Sequence, residues 1–134
     1  MLRSATDLFR AGRYIEAMHG FEAMQAAAVR TAQPQLAARA LGNIGGCRFA
    51  LHQYRDALRS FQQAARQAKA AGDTSAAAAF HANIASLYSE MGEFDAAAQW
   101  MQDSLARIAG KDRQEQRPKI LLQMATLQIG RAHV

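Results

Sequence analysis

The chain repeats itself. Shifted by 40 residues against its own sequence, it brings Tyr14, Tyr54 and Phe94 into register, then Ala17, Ala57 and Ala97, then Phe21, Phe61 and Met101. The same shift aligns Ile44, Ile84 and Met124, the small residues Gly45, Ala85 and Ala125, and the carboxamides Asn43, Asn83 and Gln123. Ala71-Gly72-Asp73 and Gly110-Lys111-Asp112 punctuate the same phase to within one residue. A fixed period of this length describes a supersecondary unit stacked on copies of itself, each unable to bury its apolar face alone. It excludes most folds in which every segment has its own environment.

Composition says what the unit is made of. Alanine occupies 31 of 134 positions, whereas Val, Ile and Thr together occupy 12. Alanine is the best helix former and β-branched residues are what strands use, so all-β and α/β domains are excluded. Only two prolines interrupt the chain. Gly12 and Gly92 mark tight breaks where a positive φ carries no penalty, Gly72-Asp73 reads as a helix end followed by an N-cap, and Pro34 suits a first helical turn. These signals predict helices over 2–11, 14–31, 35–51, 54–71, 74–91, 94–109 and about 116–130, with Pro118 in the first turn of the last or kinking it.

An aromatic, an alanine three residues on and a large apolar residue four further on make the second-helix pattern of the tetratricopeptide repeat. Gly12-Arg13-Tyr14 with Ala17 and Phe21, and Gly92-Glu93-Phe94 with Ala97 and Met101, resemble it. Leu41, Ile44 and Gly45, then Ile84, Ala85 and Tyr88, resemble the first-helix pattern. The usual repeat is about 34 residues; the longer period here is similar to the variants in kinesin light chain, LGN-type polarity scaffolds, bacterial regulators and CHAT-domain proteins. Arg48 and Gln128 depart from the pattern where Tyr88 stands, and His52 replaces the turn glycine. The resemblance implies an all-α, right-handed α-solenoid of antiparallel helix pairs. Its one domain, 1–134, would hold repeats near 1–33, 34–72 and 73–111 and a terminal helix over 112–134.

Asn43, Asn83 and Gln123 precede the buried-type Ile44, Ile84 and Met124 by one position, which turns them towards the concave surface of such an array. A carboxamide can bond the N–H and the C=O of an extended chain together. In O-GlcNAc transferase and kinesin light chain, which this chain resembles, asparagines at the matching place hold a peptide in that way. Arg39, one turn before Asn43, joins the same set. Gly42 and Gly46 face the same side and would let a ligand backbone approach closely, while Gly45 faces the partner helix. Phe9 and Phe49 lie further along the groove, either as pockets for apolar side chains of a ligand or as packing between first helices.

Other chemistry finds no support. Cys47 is the only cysteine and falls on a helix beside the Ile44 face, as a small buried hydrophobe does. His19, His52, His81 and His133 lack metal-ligand spacing, and His81 reads as a helix-packing residue. Gly42-Asn43-Ile44-Gly45-Gly46 lacks the Lys-Ser/Thr of a phosphate loop. No enzyme activity, cofactor or metal is expected. The net charge of +5 is concentrated in residues 34–71, where Arg55, Arg59 and Arg66 share one helix face without interleaved aromatics. That is the pattern of a solvated outer face, so neither a nucleic acid nor a membrane is an expected partner. With no signal peptide or spanning segment visible, a cytoplasmic setting is expected. The partner is then a protein or peptide bound in the groove; the alternative is a regulatory or self-association segment of a larger protein. Leu122 and Ile129, on a different side of the last helix from Ile120, Met124 and Leu127, would then make a homodimer contact, or dock on further repeats of a longer array.

Overall fold

The computed structural model describes residues 3–107, with side chains through Gln102, and among these residues it is helical with no strand. The last expected helix, with Gln123, Leu122 and Ile129, lies outside the described residues. Contacts gather the chain into two compact units, Met1–Gly72 and Asp73–Val134. The first contains α1 (Ala5–Arg10), α2 (Tyr14–Arg30), α3 (Pro34–Ala50) and α4 (Tyr54–Ala70), with α1 packed on α2, α2 on α3 and α3 on α4. The second contains α5 (Thr74–Glu90) packed on α6 (Phe94–Arg107).

Among the described residues, the helices expected over 14–31, 35–51, 54–71 and 74–91 are present with ends within one residue, and the one expected from residue 94 begins there; the N-terminus differs. There the first helix begins at Ala5 rather than at residue 2, because the Ser4 side chain accepts the Asp7 N–H at 3.1 Å and acts as N-cap. Arg3 therefore precedes the helix. Asp73 caps α5 in the same way, accepting from the Ala76 N–H at 3.2 Å.

Every helix from α1 to α5 ends in one device. The backbone turns left-handed at Gly12, Ala32, His52, Gly72 and Gly92, with φ between 54° and 80°. The N–H of each of these residues donates to the carbonyl three residues back, as Gly12 does to Phe9 at 3.0 Å and His52 to Phe49 at 2.9 Å. The next N–H reaches five back, Arg13 to Leu8, Gln53 to Arg48 and Glu93 to Tyr88, at 2.8–2.9 Å. This is the Schellman closure, which satisfies carbonyls a helix end would otherwise leave open. The residue after the turn then starts the next helix, its carbonyl accepting from Ala17, Ala37, Ala57, Ala77 or Ala97 at 2.9–3.1 Å. Turn and alanine thus recur every 20 residues, half the period read from the sequence. Glycine takes the left-handed position freely, whereas Ala32 and His52 adopt it at a cost of roughly 1–2 kcal/mol each.

First and second helices of a pair are buried differently. On α4 the buried residues Ala57, Ser60, Phe61, Ala64, Ala65 and Ala68 follow an i, i+3, i+4 stripe, and the other face is open. On α3 and α5 burial runs nearly all round, through Ala37 to Cys47 and Ala76 to Leu87. The joints between paired helices are tight. A Cβ on Gly45 would stand 3.0 Å from the Phe61 ring and 3.2 Å from Ser60 Cβ, so a glycine facing the partner helix is what the packing requires. A Cβ on Gly20 would stand 2.9 Å from Ala5 Cβ, which fixes the seat of α1 on α2.

Candidate peptide-binding face

Because α3 and α5 are buried on most sides, each keeps only a narrow open strip, and side chains one turn apart share it. On α3 that strip carries Arg39, exposed, then Asn43, exposed, then Gly46, half-buried. On α5 the corresponding residues are Ala79, Asn83 and Ser86, all half-buried. The register follows from the cores beneath: Ile44 is 3% exposed and Ile84 fully buried, so the residue before each is turned out. Asn43 and Asn83 thus occupy the same place in successive first helices, one in each unit. Gln123 falls outside the described residues.

The glycines separate by role. Gly42, expected to leave room for a ligand backbone, is buried and so is not open to a ligand. Gly46 is the open one: a Cβ there would meet only Phe9, at 3.9 Å, an ordinary contact. The strip on α3 is therefore continuous with Phe9 of α1. Phe9 and Phe49 are half-buried. Each sets its ring edge-on to the tyrosine that opens the next helix, Phe9 to Tyr14 with centroids 5.1 Å apart and Phe49 to Tyr54 at 5.7 Å. These pairs clamp the turn between the helices of a repeat, and both phenylalanines remain partly accessible.

The surroundings are chemically quiet. Arg48, standing where α5 has Tyr88, donates from Nη1 to Ser60 Oγ at 2.8 Å, and Ser60 donates to the Asp56 carbonyl at 3.0 Å. A polar link across the α3–α4 joint thus replaces an aromatic one, which the sequence departure at Arg48 left unexplained. His81 is buried, with its ring 4.8 Å from that of Trp100, the packing role expected of it. Cys47 is fully buried, and burial pushes its thiol up to about 11, away from nucleophilic character. Arg55, Arg59 and Arg66 lie on the exposed face of α4, and Arg59 pairs with Asp56 on its own helix. Among the described residues no group of His, Cys, Asp or Glu is placed to hold a metal ion, and no helix is long and apolar enough to cross a membrane.

Comparison with known proteins agrees with this geometry. No curated protein sequence matches the chain. Solved structures do match in fold, at 22% identity. The Yersinia enterocolitica type III secretion chaperone SycD in complex with a peptide of the translocator YopD superposes with a TM-score of 0.70, over 95% of this chain and 88% of that one. A second structure, of the Yersinia enterocolitica type III secretion translocator chaperone SycD, gives 0.71, over 96% and 81%. An alternative dimer of SycD gives 0.72, over 95% and 88%. At the level of sequence, the pattern described as tetratricopeptide repeat matches residues 36–108, more than half of the chain. With helix pairs closed by one recurring turn, small residues at the joints and that pattern spanning α3 to α6, the chain belongs to the tetratricopeptide repeat family.

Proposed function

We propose that this protein is a non-catalytic interaction module that binds an extended peptide, or one face of a partner helix, through the open strips that its first helices, α3 and α5, each carry. The observation that carries the reading is the recurrence of a carboxamide, exposed at Asn43 and half-buried at Asn83, at the same register of two largely buried helices. An asparagine there can donate to a ligand carbonyl and accept from a ligand N–H, holding a main chain without reading its side chains. Arg39 adds a cation for an acidic group on the ligand, Gly46 lets the ligand backbone come close, and Phe9 and Phe49, both partly accessible, offer ring surface to its apolar side chains. In the sequence, Gln123 continues the 40-residue spacing of these carboxamides. The YopD peptide held by SycD, a protein of the same fold, supports the peptide reading.

The dimeric form of SycD supports a second reading, in which copies of this chain associate through Leu122 and Ile129. Light scattering coupled to gel filtration tests it: a dimer dissolved by Leu122→Glu with Ile129→Glu supports that reading, and a monomer at high micromolar concentration removes it. The peptide reading is tested by selecting binders from a random-peptide display library on wild type. Affinities are then measured for Asn43→Ala, Asn83→Ala and the double variant, with melting temperatures alongside. Each lost hydrogen bond contributes about 0.5–1.5 kcal/mol, so the double variant binds roughly tenfold to a hundredfold more weakly at nearly unchanged melting temperature. Unchanged affinity with a large fall in melting temperature shows that the asparagines hold the fold instead.

A further inference from the structure

The first unit has a second concave feature, away from the α3 strip. Where α2 ends, α3 begins and α4 ends, an open cavity of about 630 Å³ is walled by Val29, Ala32 and Pro34 on one side and by Ala70 and Ala71 on the other. Its polar lining is two carboxamides, Gln33 and Gln67. Val29 is 65% exposed, the most exposed large apolar side chain among the described residues, and Leu36, two residues past Pro34, is 38% exposed. The geometry is held: the Gln35 side chain donates to the Ala71 carbonyl at 3.1 Å, tying the start of α3 to the end of α4.

The charged residues next in sequence to the lining are all cationic. Arg30 follows the lining residue Val29, Arg66 precedes Gln67 and Lys69 precedes Ala70, and all three are exposed. Between Glu22 and Asp73 the only carboxylate is Asp56, which is occupied by Arg59 on the outer face of α4. Apolar surface flanked by these cations is complementary to an acidic segment that carries a bulky apolar side chain. The walls hold no aromatic ring on which a nucleobase could stack, whereas the two carboxamides can pair with a peptide main chain.

We propose that this cavity is a second docking site, which takes an acidic protein segment by inserting one or two bulky apolar side chains between the α2–α3 turn and the end of α4. It is independent of the strips that carry Asn43 and Asn83. A protein bound there and reaching this cavity with an acidic flank would gain by effective concentration rather than by new groove contacts.

The test uses the full chain and three fluorescein-labelled peptides: Glu-Asp-Glu-Phe-Phe-Glu-Asp-Glu, the same peptide with Ala for Phe, and the same with Lys for every acid. Amide chemical shifts report the location and anisotropy reports the affinity. The Phe-containing acidic peptide is expected to move the amides of Val29, Ala32 and Ala71, and to bind at least tenfold better than either control. Arg66→Glu with Lys69→Glu, which reverses two of the flanking charges, and Ala70→Trp, which fills the cavity from an exposed position, should each weaken it tenfold or more with circular dichroism unchanged. Asn43→Ala with Asn83→Ala should leave this binding intact, which separates this site from the groove. Equal binding of the Lys peptide, absence of shifts at those amides, or the same amides moving instead with a mixed oligonucleotide or anionic vesicles overturns the proposal.

Discussion

The pairs α3–α4 and α5–α6 solve one packing problem with different side chains. In α3–α4 the second helix brings Phe61, the first answers with Gly45, and a polar link from Arg48 to Ser60 finishes the joint. In α5–α6 the second helix brings Met101 and the first answers with Ala85, while Tyr88, Phe94 and Trp100 pack around a buried cluster of Ala78, Ala82, Ala85, Ala97 and Met101. A flat ring lying close to the opposite backbone leaves no room for a Cβ; a flexible thioether does. Beneath the open strips, α3 has Cys47 where α5 has Leu87, both fully buried. The difference teaches that the 40-residue unit conserves total volume at each joint, not residue type, and that α3 carries liabilities which α5 lacks.

The largest expected effect exploits Cys47. Its folded thiol titrates near 11 because burial disfavours the thiolate, so the folded state holds the proton more tightly than the unfolded chain does. The stability contributed is complete below the ordinary value of 9.0 and is lost as pH rises through 11. Urea denaturation should therefore show wild type losing about 2–3 kcal/mol more than Cys47→Ala across that window. Parallel pH profiles for the two proteins would show that the thiol is not held neutral by the fold.

The joint itself is tested by a double-mutant cycle. Gly45→Ala should gain nothing or lose stability in wild type, where the new methyl group meets Phe61. In the Phe61→Met background, which reproduces the α5–α6 arrangement, it should stabilise by about 1 kcal/mol, the ordinary helix preference for alanine. A coupling near zero would show that Phe61 does not dictate the glycine. Ser60→Ala, by removing the acceptor of Arg48, should cost about 1 kcal/mol. Trp100 holds the equivalent place in α6, and a polar link of this kind has no counterpart in that position.

The smallest effects lie at the turns. Ala32→Gly should stabilise by up to about 1 kcal/mol by relieving a left-handed alanine, and Gly92→Ala should cost about as much. His52→Gly should gain less. Histidine tolerates this conformation better than alanine, and His52 hydrogen-bonds through Nδ1 to the Tyr54 hydroxyl at 2.8 Å, a contact the substitution removes. Melting temperatures check all three.

Much of this architecture was legible from periodicity, because the alanines, aromatics and turn residues that carry the repeat are the ones that pack. Helix order, the Gly45 joint, the Asp73 cap and the burial of Cys47 and His81 all follow from spacing. Two features were not legible. The 20-residue recurrence of turn and alanine was masked because alanine and histidine, at Ala32 and His52, stand in two of the five left-handed positions. The burial of Gly42 is not visible in the sequence, because helical phase gives direction but not the depth of neighbouring elements. Asn43 and Asn83 could be placed on an open strip, since the isoleucines after them fix the register. What they bind lies in the partner's chemistry, which no intrachain contact encodes.

The central claim, that those strips bind a ligand chain, is tested most directly by nuclear magnetic resonance titration of the full chain with a library-selected peptide. The account predicts that the side-chain amide signals of Asn43 and Asn83 shift together and saturably, while the backbone amides of Arg55, Arg59 and Arg66 on the outer face of α4 stay in place. Saturable shifts confined to that outer face, with both asparagine side chains unmoved, would contradict it.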